Sequence, residues 1–241
     1  MKTQTQLPKF EGKPLIELPK EIPQANFLVG DFGKAVLEEY NARVKSEYKG
    51  NKILKVLSYD GVVKGSNPFV VCLVNDIIGS QGLRTASPAD LEKILKTSAL
   101  DLQGHYEDSA LVWRSDAEPN SYLAKNVSEQ IKQRTGKMPN VPIVIPLYQI
   151  SIVNDQNYPQ GLAFKLNYNS EIIEAPILNQ SGNFSSIDID EKTGLPKQVE
   201  KGNRTNYIAR NGLRRLCLDW GSGLDSGSGG LANSDELGRV V

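Results

Sequence analysis

The feature that most constrains the fold is a C-terminal segment in which small polar residues are interrupted at intervals by leucine. Residues 221–230 (GSGLDSGSGG) have the composition of a flexible Gly/Ser linker. A flexible linker has no need of large apolar side chains, yet this segment and its flanks carry several. We therefore interpret the leucines as buried anchors and the small polar residues between them as exposed and interchangeable. The anchors are Leu213, Leu216, Leu218, Leu224 and Leu231, and Gly238, Arg239, Val240 and Val241 close the segment.

Composition indicates a globular chain and argues against several kinds of partner. The 241 residues suit one large domain, or a domain with an arm, and 39% of them are hydrophobic. The 28 basic and 28 acidic residues balance to zero net charge without a basic stripe, so we expect no nucleic-acid partner. No apolar run reaches the roughly 20 residues of a transmembrane helix, so we expect no membrane insertion. We see no signal peptide, which makes the cytoplasm the default location, with assembly on a virion surface as the alternative.

Two cysteines and one histidine limit the chemistry open to the chain. Cys72 and Cys217 cannot build a disulfide framework, and together with His105 they do not make a zinc site of the usual kind. Cys72 lies in an apolar run typical of a buried helix, and no histidine neighbours either cysteine in sequence, which disfavours a catalytic thiol. We therefore predict no enzyme activity, no catalytic residue, no cofactor and no metal site.

Three shorter patterns resemble functional sites but have simpler interpretations. Residues 118–120 (EPN) spell the sugar-binding tripeptide of calcium-dependent lectins, but the usual Trp-Asn-Asp partner is missing, so we interpret them as the cap of a helix beginning at Ser121. The acids Asp188, Asp190 and Glu191 lack the glycine and final glutamate of a calcium loop, which indicates a solvated loop. The Gly-rich tail has no Gly-Lys-Ser/Thr motif and is not a phosphate loop.

Local patterns predict an α+β fold with an extended N-terminal arm. Four prolines within residues 1–26 exclude a regular helix or central strand there, which indicates the arm. Helical spacing and capping residues predict four helices, at 31–47, 69–78, 87–100 and 121–134. Residues 179–206 are predicted to be a polar loop region. Short β-type runs predict strands at 52–59, 141–147, 149–153, 161–167 and 171–178, with Pro142 and Pro146 indicating an edge or bulged strand.

The tail is also similar to a known family. It resembles the variable region of the target proteins of diversity-generating retroelements, which occur in bacteria, archaea and their viruses. Two segments of the body, residues 82–108 (GLRTASPADLEKILKTSALDLQGHYED) and 184–196 (FSSIDIDEKTGLP), resemble the non-variable part of archaeal members. The matching frame of the tail is Gly212-Leu213, Arg215-Leu216, Leu218, Leu224, Ser226, Leu231-Ala232, Ser234 and Gly238-Arg239-Val240.

This resemblance implies both a fold and a function. The implied fold is the C-type lectin fold in the form shared with formylglycine-generating enzymes, over residues 48–241, preceded by an arm and helix over 1–47. In this family an error-prone reverse transcriptase rewrites adenines, so that asparagine codons in a variable region, here about 212–241, become codons for Asp, Gly, Ser and others. The implied ligand-binding positions are Cys217, Asp219, Trp220, Gly221, Ser222, Gly223, Asp225, Gly227, Ser228, Gly229, Gly230, Asn233 and Asp235.

The resemblance implies a binding protein, and two alternatives stay open. The expected ligand is a protein or a cell-surface structure of unknown identity, and the N-terminal arm is the place where we expect any oligomer to assemble. Binding energy usually concentrates in Trp, Tyr and Arg, so Trp220 is the obvious anchor. The alternatives are an enzyme of the formylglycine-generating type, which needs paired cysteines or a metal, and a structural component of a viral fibre or tail tip.

Overall fold

The computed structural model describes residues 25–241, so the predicted arm over 1–26 lies outside the described residues except at its last two positions. The described chain has a mixed α+β architecture, as predicted. Its α-helices are α1 (Gly30–Ser46), α2 (Pro68–Ile78), α3 (Pro88–Thr97) and α4 (Ser121–Thr135). Its strands are β1 (Ser58–Tyr59), β2 (Val63–Lys64), β3 (Tyr106–Trp113), β4 (Ile143–Pro146), β5 (Ile150–Asn154), β6 (Leu162–Leu166), β7 (Ile173–Glu174), β8 (Gly182–Phe184), β9 (Arg204–Ile208), β10 (Leu213–Leu218), β11 (Leu224–Ser226) and β12 (Gly238–Arg239).

The four predicted helices are confirmed, and two of them begin at caps visible in the sequence. At the start of α2, the side chain of Asn67 accepts a hydrogen bond of 3.0 Å from the backbone N–H of Val70. At the start of α3, Ser87 and Asp90 form a reciprocal capping box. Such caps satisfy backbone N–H groups that a helix leaves without partners at its first turn. Asp76 is the single exposed residue of α2, which makes this helix the centre of the largest core.

The main sheet has β3 at its centre. Its strands follow the order β1-β2-β12-β3-β10-β11-β9-β8, while β4 also pairs with β3 and carries β7 on its other side. A separate hairpin is formed by β5 and β6. Strand β10 pairs with one edge of β3, and β12 and β4 share the other. All eight residues of β3 are buried, and its apolar side chains alternate between two clusters, with Leu111 and Trp113 in the main core and Ala110 and Val112 in a second cluster. The sequence analysis did not predict β3, so it missed the central strand.

Three strand predictions and the loop prediction for 179–206 are wrong in part. Within 171–178 only Ile173–Glu174 is a strand, because Pro176–Asn179 forms a 3-10 turn. Within 52–59 only Ser58–Tyr59 is a strand, because the apolar side chains before it reach the core from a 3-10 turn. The polar region 179–206 contains β8 and the first residues of β9. Strand β4 is not an edge strand, since it lies between β3 and β7. Pro146 is nevertheless compatible with an inner strand, because it occupies the last position of β4.

The tail is folded, and its leucine anchors reach three separate apolar clusters. Leu213 and Leu231 belong to the main core beneath α1, α2 and α4. Leu216 and Leu224 pack into a second cluster, and Leu218 packs into a third cluster beside α3. All five are at most 2% exposed, which confirms the prediction that they are anchors. Burial of this apolar surface, at about 25 cal/mol per Å², opposes the flexibility that the Gly/Ser composition would otherwise favour.

Candidate ligand-binding surface

The loop between β10 and β11 is held by one carboxylate. Oδ1 of Asp219 accepts hydrogen bonds from the backbone N–H groups of Gly221 (2.9 Å) and Gly223 (2.7 Å). The backbone N–H of Asp219 donates in turn to the carbonyl oxygen of Gly223 at 2.9 Å. Aspartate commonly orders turns in this way. The ordered loop presents Trp220, whose side chain is 70% exposed, at its tip.

A second exposed aromatic residue, Tyr207, lies on the same side of the sheet as two candidate positions. Asp225 is paired in register with Cys217 on β10 and with Tyr207 on β9. Residues paired across neighbouring strands project from the same face. Tyr207 is 49% exposed, and the sequence analysis missed it. The alternation of burial along β9 distinguishes it: Arg204 and Asn206 are buried, whereas Tyr207, the residue after Asn206, is exposed.

The longer loop after β11, residues 227–237, is fastened mainly through its backbone. Arg214 donates to the carbonyl oxygen of Gly227, and Arg215 donates to that of Asn233 at 3.3 Å. The hydroxyl of Ser234, which is not a candidate position, accepts a hydrogen bond of 2.8 Å from the backbone N–H of residue 66. Because these bonds do not use the candidate side chains, they do not depend on which side chain stands at 227 or 233.

Asn120 also fastens this loop, and this corrects its predicted role. It occupies the cap position before α4, but its side chain makes no capping bond. Nδ2 of Asn120 donates instead to the carbonyl oxygens of Leu213 and Gly229, both at 2.8 Å. Its left-handed backbone, with φ of 64°, directs the side chain toward the tail. Residue 120 of the EPN tripeptide therefore connects the body to the candidate surface.

The candidate positions differ in how accessible they are. The prediction that all of them are exposed is wrong for Cys217 and Gly223, which are buried. The reason is that Cys217 lies within β10 and Gly223 packs against β9, with the backbone of Thr205 close to it. The exposed positions are Trp220, Gly221, Asn233 and Asp235, and the half-buried positions are Asp219, Ser222, Asp225, Gly227, Ser228, Gly229 and Gly230.

A β-bulge places Cys217 in a polar environment. Leu216 pairs with Ala110, but Cys217 pairs with Asp108, so Ser109 is the extra residue of the bulge. Burial raises the pKa of the Cys217 thiol, and the nearby carboxylate of Asp108 raises it further. The protonated form is a poor nucleophile, so this thiol is not activated for covalent chemistry. Both cysteines of the chain are buried free thiols.

Charged residues of the tail pair with acids buried in β3. Nε of Arg239 lies 2.6 Å from Oε1 of Glu107, and Nη1 of Arg215 lies 3.5 Å from Oδ1 of Asp108. Burial raises the pKa of Glu107 to about 7, although its bond to Arg239 opposes the shift. Arg215 also lies over the ring of Tyr106, with 4.8 Å between the guanidinium carbon and the ring centroid. These contacts attach the tail to the central strand.

The described part of the protein has a groove of about 1030 Å³. It lies between α3 and residues 186–192, and Glu92 and Arg204 are among its lining residues. Arg204 forms two bonds of 2.6 Å with the Glu92 carboxylate, and its Nε donates at 2.6 Å to the carbonyl oxygen of Ser222. One guanidinium thus connects α3, β9 and the loop that carries Trp220.

The remaining motifs have local structural partners. Oδ1 of Asp190 accepts hydrogen bonds from the backbone N–H groups of Lys192 (3.1 Å) and Thr193 (2.8 Å), so it orders its own turn. Nδ1 of His105 lies 3.2 Å from the carbonyl oxygen of Gln103. Within residues 25–241, no group of three or more His, Cys, Asp or Glu side chains is arranged to hold a metal ion.

Gly221 and Gly223, two glycines of the Trp220 loop, provide a test of which positions tolerate a larger side chain. A Cβ at Gly223 would lie 2.9 Å from the carbonyl oxygen of Thr205 and 2.8 Å from Oδ2 of Asp219, whereas the nearest atom to a Cβ at Gly221 lies at 3.5 Å. We expect Gly223→Ser to lower the free energy of unfolding by about 1–3 kcal/mol and Gly221→Ser to change it by about 0.5 kcal/mol or less. Urea denaturation of both variants measures the difference, and equal effects would contradict the assigned packing.

Comparisons with known proteins complete the description of this surface. Among helices in the described part of the chain, none combines the length and apolar character needed to cross a membrane. No protein family, curated protein or solved structure matches the chain. The arrangement of the tail itself, an ordered segment with exposed positions between buried anchors, is therefore the basis for the functional conclusion.

Proposed function

We propose that the chain is a ligand-binding protein whose C-terminal segment, residues 212–241, is diversified by a retroelement to change binding specificity. In this proposal the domain has the C-type lectin fold in the form shared with formylglycine-generating enzymes. The observation that carries the proposal is the separation of two kinds of position in one segment. Buried leucines and backbone hydrogen bonds hold the segment, while Trp220, Gly221, Asn233 and Asp235 are exposed.

The energetics of such a segment favour a change of specificity without loss of the fold. Substitutions of exposed residues usually change stability by about 0.5 kcal/mol or less, whereas loss of a buried leucine side chain costs about 2–5 kcal/mol. Most contacts that order the two loops do not use the exposed side chains. The exception is Asp235, whose Oδ1 accepts a hydrogen bond of 2.9 Å from the backbone N–H of Leu237. The exposed positions are consequently the ones at which many different residues are compatible with the same backbone.

A display experiment tests whether the surface can acquire new ligands. One library randomises Trp220, Gly221, Asn233 and Asp235, and a matched library randomises the buried Leu213, Leu216, Leu218 and Leu224. Selection against an unrelated purified protein, such as a lysozyme, should yield folded, specific binders from the first library only. Binders recovered equally from both libraries, or from neither, would contradict the proposal.

The aromatic residues give a sharper prediction for a binder selected from a second form of the first library, in which residue 220 is kept as tryptophan and only Gly221, Asn233 and Asp235 are randomised. Aromatic anchors at the centre of an interface often contribute 2 kcal/mol or more. We expect Trp220→Ala or Tyr207→Ala to weaken binding by about tenfold or more. Tyr168→Ala is the control, because Tyr168 is 96% exposed and lies outside the tail. Isothermal titration calorimetry measures the change, and an equal effect of the Tyr168 substitution would count against the assigned surface.

The genomic context tests the retroelement itself. We expect a near-copy of the DNA for residues 212–241 close to the gene, together with a reverse-transcriptase gene. Mismatches between the two copies should fall at adenines of the template copy. Mismatches spread over all four bases, or the absence of any such repeat, would contradict diversification and leave a binding protein of fixed specificity.

A further inference from the structure

Two arginines at one end of the main sheet form no ion pair with the described residues. Arg114 follows the last residue of β3, and Arg214 is the second residue of β10. The described ion pairs connect other basic groups to the carboxylates, and within residues 25–241 neither of these two guanidinium groups forms one. Both residues are half-buried, so each is partly withdrawn from water and still accessible from outside. The carboxylate of Asp225 acts on Arg214 from beyond ion-pair distance and offsets only part of the charge of the pair.

The two guanidinium groups converge on consecutive residues. Nη2 of Arg114 donates to the hydroxyl of Ser226 at 2.9 Å, and its Nη1 donates to Oδ1 of Asn179 at 3.4 Å. Arg214 donates through Nη1 to the carbonyl oxygen of Gly227, the next residue along the chain. The pair is therefore set around the end of β11, between two strands of the sheet and the 3-10 turn that contains Asn179.

This arrangement is electrostatically unfavourable without an anion. Burial lowers the pKa of Arg114 to about 10, and the positive charge of Arg214 contributes to the shift. Burial also lowers the pKa of Arg214, although the carboxylate of Asp225 opposes the shift. Nε of Arg114 is buried and has no hydrogen-bond acceptor. A half-buried pair of like charges is stabilised when an opposite charge lies between or beside them.

We propose that Arg114 and Arg214 together bind an oxyanion, meaning a carboxylate or a phosphate or sulfate group. A guanidinium presents its N–H groups in a planar fork that matches the oxygens of such anions, and charge-assisted bonds of this kind are the stronger ones in proteins. The buried hydroxyl of Ser226 orients Arg114, since it accepts from Nη2 of Arg114 and donates to the carbonyl oxygen of Tyr207 at 3.2 Å. The site also adjoins candidate position Gly229, where a Cβ would lie 3.6 Å from Nη1 of Arg214. This inference does not depend on the proposed diversification.

Anion titrations of the full chain test the site. The melting temperature and the heat of binding are measured in sodium phosphate, sodium sulfate and sodium acetate, each against sodium chloride at equal ionic strength. A saturable response to an oxyanion beyond that of chloride supports the site. A preference for phosphate and sulfate identifies a tetrahedral ligand, and a preference for acetate identifies a carboxylate. Equal responses to all four salts would overturn the proposal.

Variants distinguish this site from general salt effects. Arg114→Gln and Arg214→Gln should each raise the dissociation constant of the preferred anion by about tenfold or more. Lys45→Gln removes the same charge from an exposed position on α1 and should leave the constant unchanged. Should Arg114→Gln not fold, Arg214→Gln decides the question, because Arg214 donates to the backbone carbonyl oxygens of Asn211 and Gly227. Unchanged affinity in Arg214→Gln would overturn the proposal.

Discussion

Replacement of Arg204 by methionine is expected to lower the free energy of unfolding by about 3–5 kcal/mol, because it leaves the carboxylate of Glu92 buried without a partner. The side chains of Arg204 and Glu92 are 5% and 9% exposed and are joined by two bonds of 2.6 Å. Arg204 also lies over the ring of Phe184 and donates to the backbone of the Trp220 loop. Urea denaturation measures the loss, which should be accompanied by loosening of that loop.

Two further variants separate the ion pair from other effects of losing the arginine. The double variant Arg204→Met with Glu92→Leu should recover most of the stability, since removal of both charges leaves no buried carboxylate. Lys96 lies on α3, as Glu92 does, and forms an ion pair with Glu191 in which the two side chains are 75% and 79% exposed. Lys96→Met breaks this exposed pair and should lower the free energy of unfolding by only about 0–1 kcal/mol. A double variant no more stable than Arg204→Met alone would show that the pair is not the source of the loss.

Replacement of Leu231 by alanine is expected to lower the free energy of unfolding by about 2–5 kcal/mol, the usual cost of removing a buried leucine side chain. Leu231 is 2% exposed and belongs to the main core, although its neighbours in sequence are Gly230 and Ala232. It is the apolar anchor of the loop formed by residues 227–237. Its loss should therefore lower stability and also increase hydrogen exchange throughout that loop.

Leu237→Ala is the matched control within the same loop. Leu237 is 45% exposed, so the same chemical change should alter the free energy of unfolding by about 0.5 kcal/mol or less. Comparable losses in the two variants would show that the loop is not anchored through Leu231. Such a result would also remove the main support for the proposed function, because exposed positions can vary freely only when other residues hold the backbone.

The helices could be predicted from the sequence because their signals are local. Asn67 stands next to the proline that opens α2, and the capping box of α3 spans only Ser87 to Asp90. Strand β3 could not be recognised in the same way. Glu107 and Asp108 interrupt its apolar pattern, and they are buried only because arginines from the tail pair with them. One of these partners lies 132 residues farther along the chain, beyond the reach of any local pattern.

The candidate surface could be predicted in outline and not in detail. The spacing of the leucines identified the residues that hold the tail in the core. The side chain of Trp220 is 70% exposed, so it can contact a ligand. The burial of Cys217 depends on the bulge at Ser109, which belongs to a different strand. The burial of Gly223 depends on the backbone of Thr205, and Tyr207 joins the surface through strand pairing. These contacts are tertiary, so residue order alone does not reveal them.

The position of β12 makes the folding of the main sheet depend on the completeness of the C-terminal segment, residues 212–241. This strand lies between β2 and β3 in the main sheet, yet it follows every candidate position in the chain. A frameshift or stop codon introduced anywhere within 217–235 would remove the strand that joins the two, together with Arg239 and its bond to Glu107. We therefore expect a chain interrupted there to lack a continuous main sheet and to be degraded as misfolded.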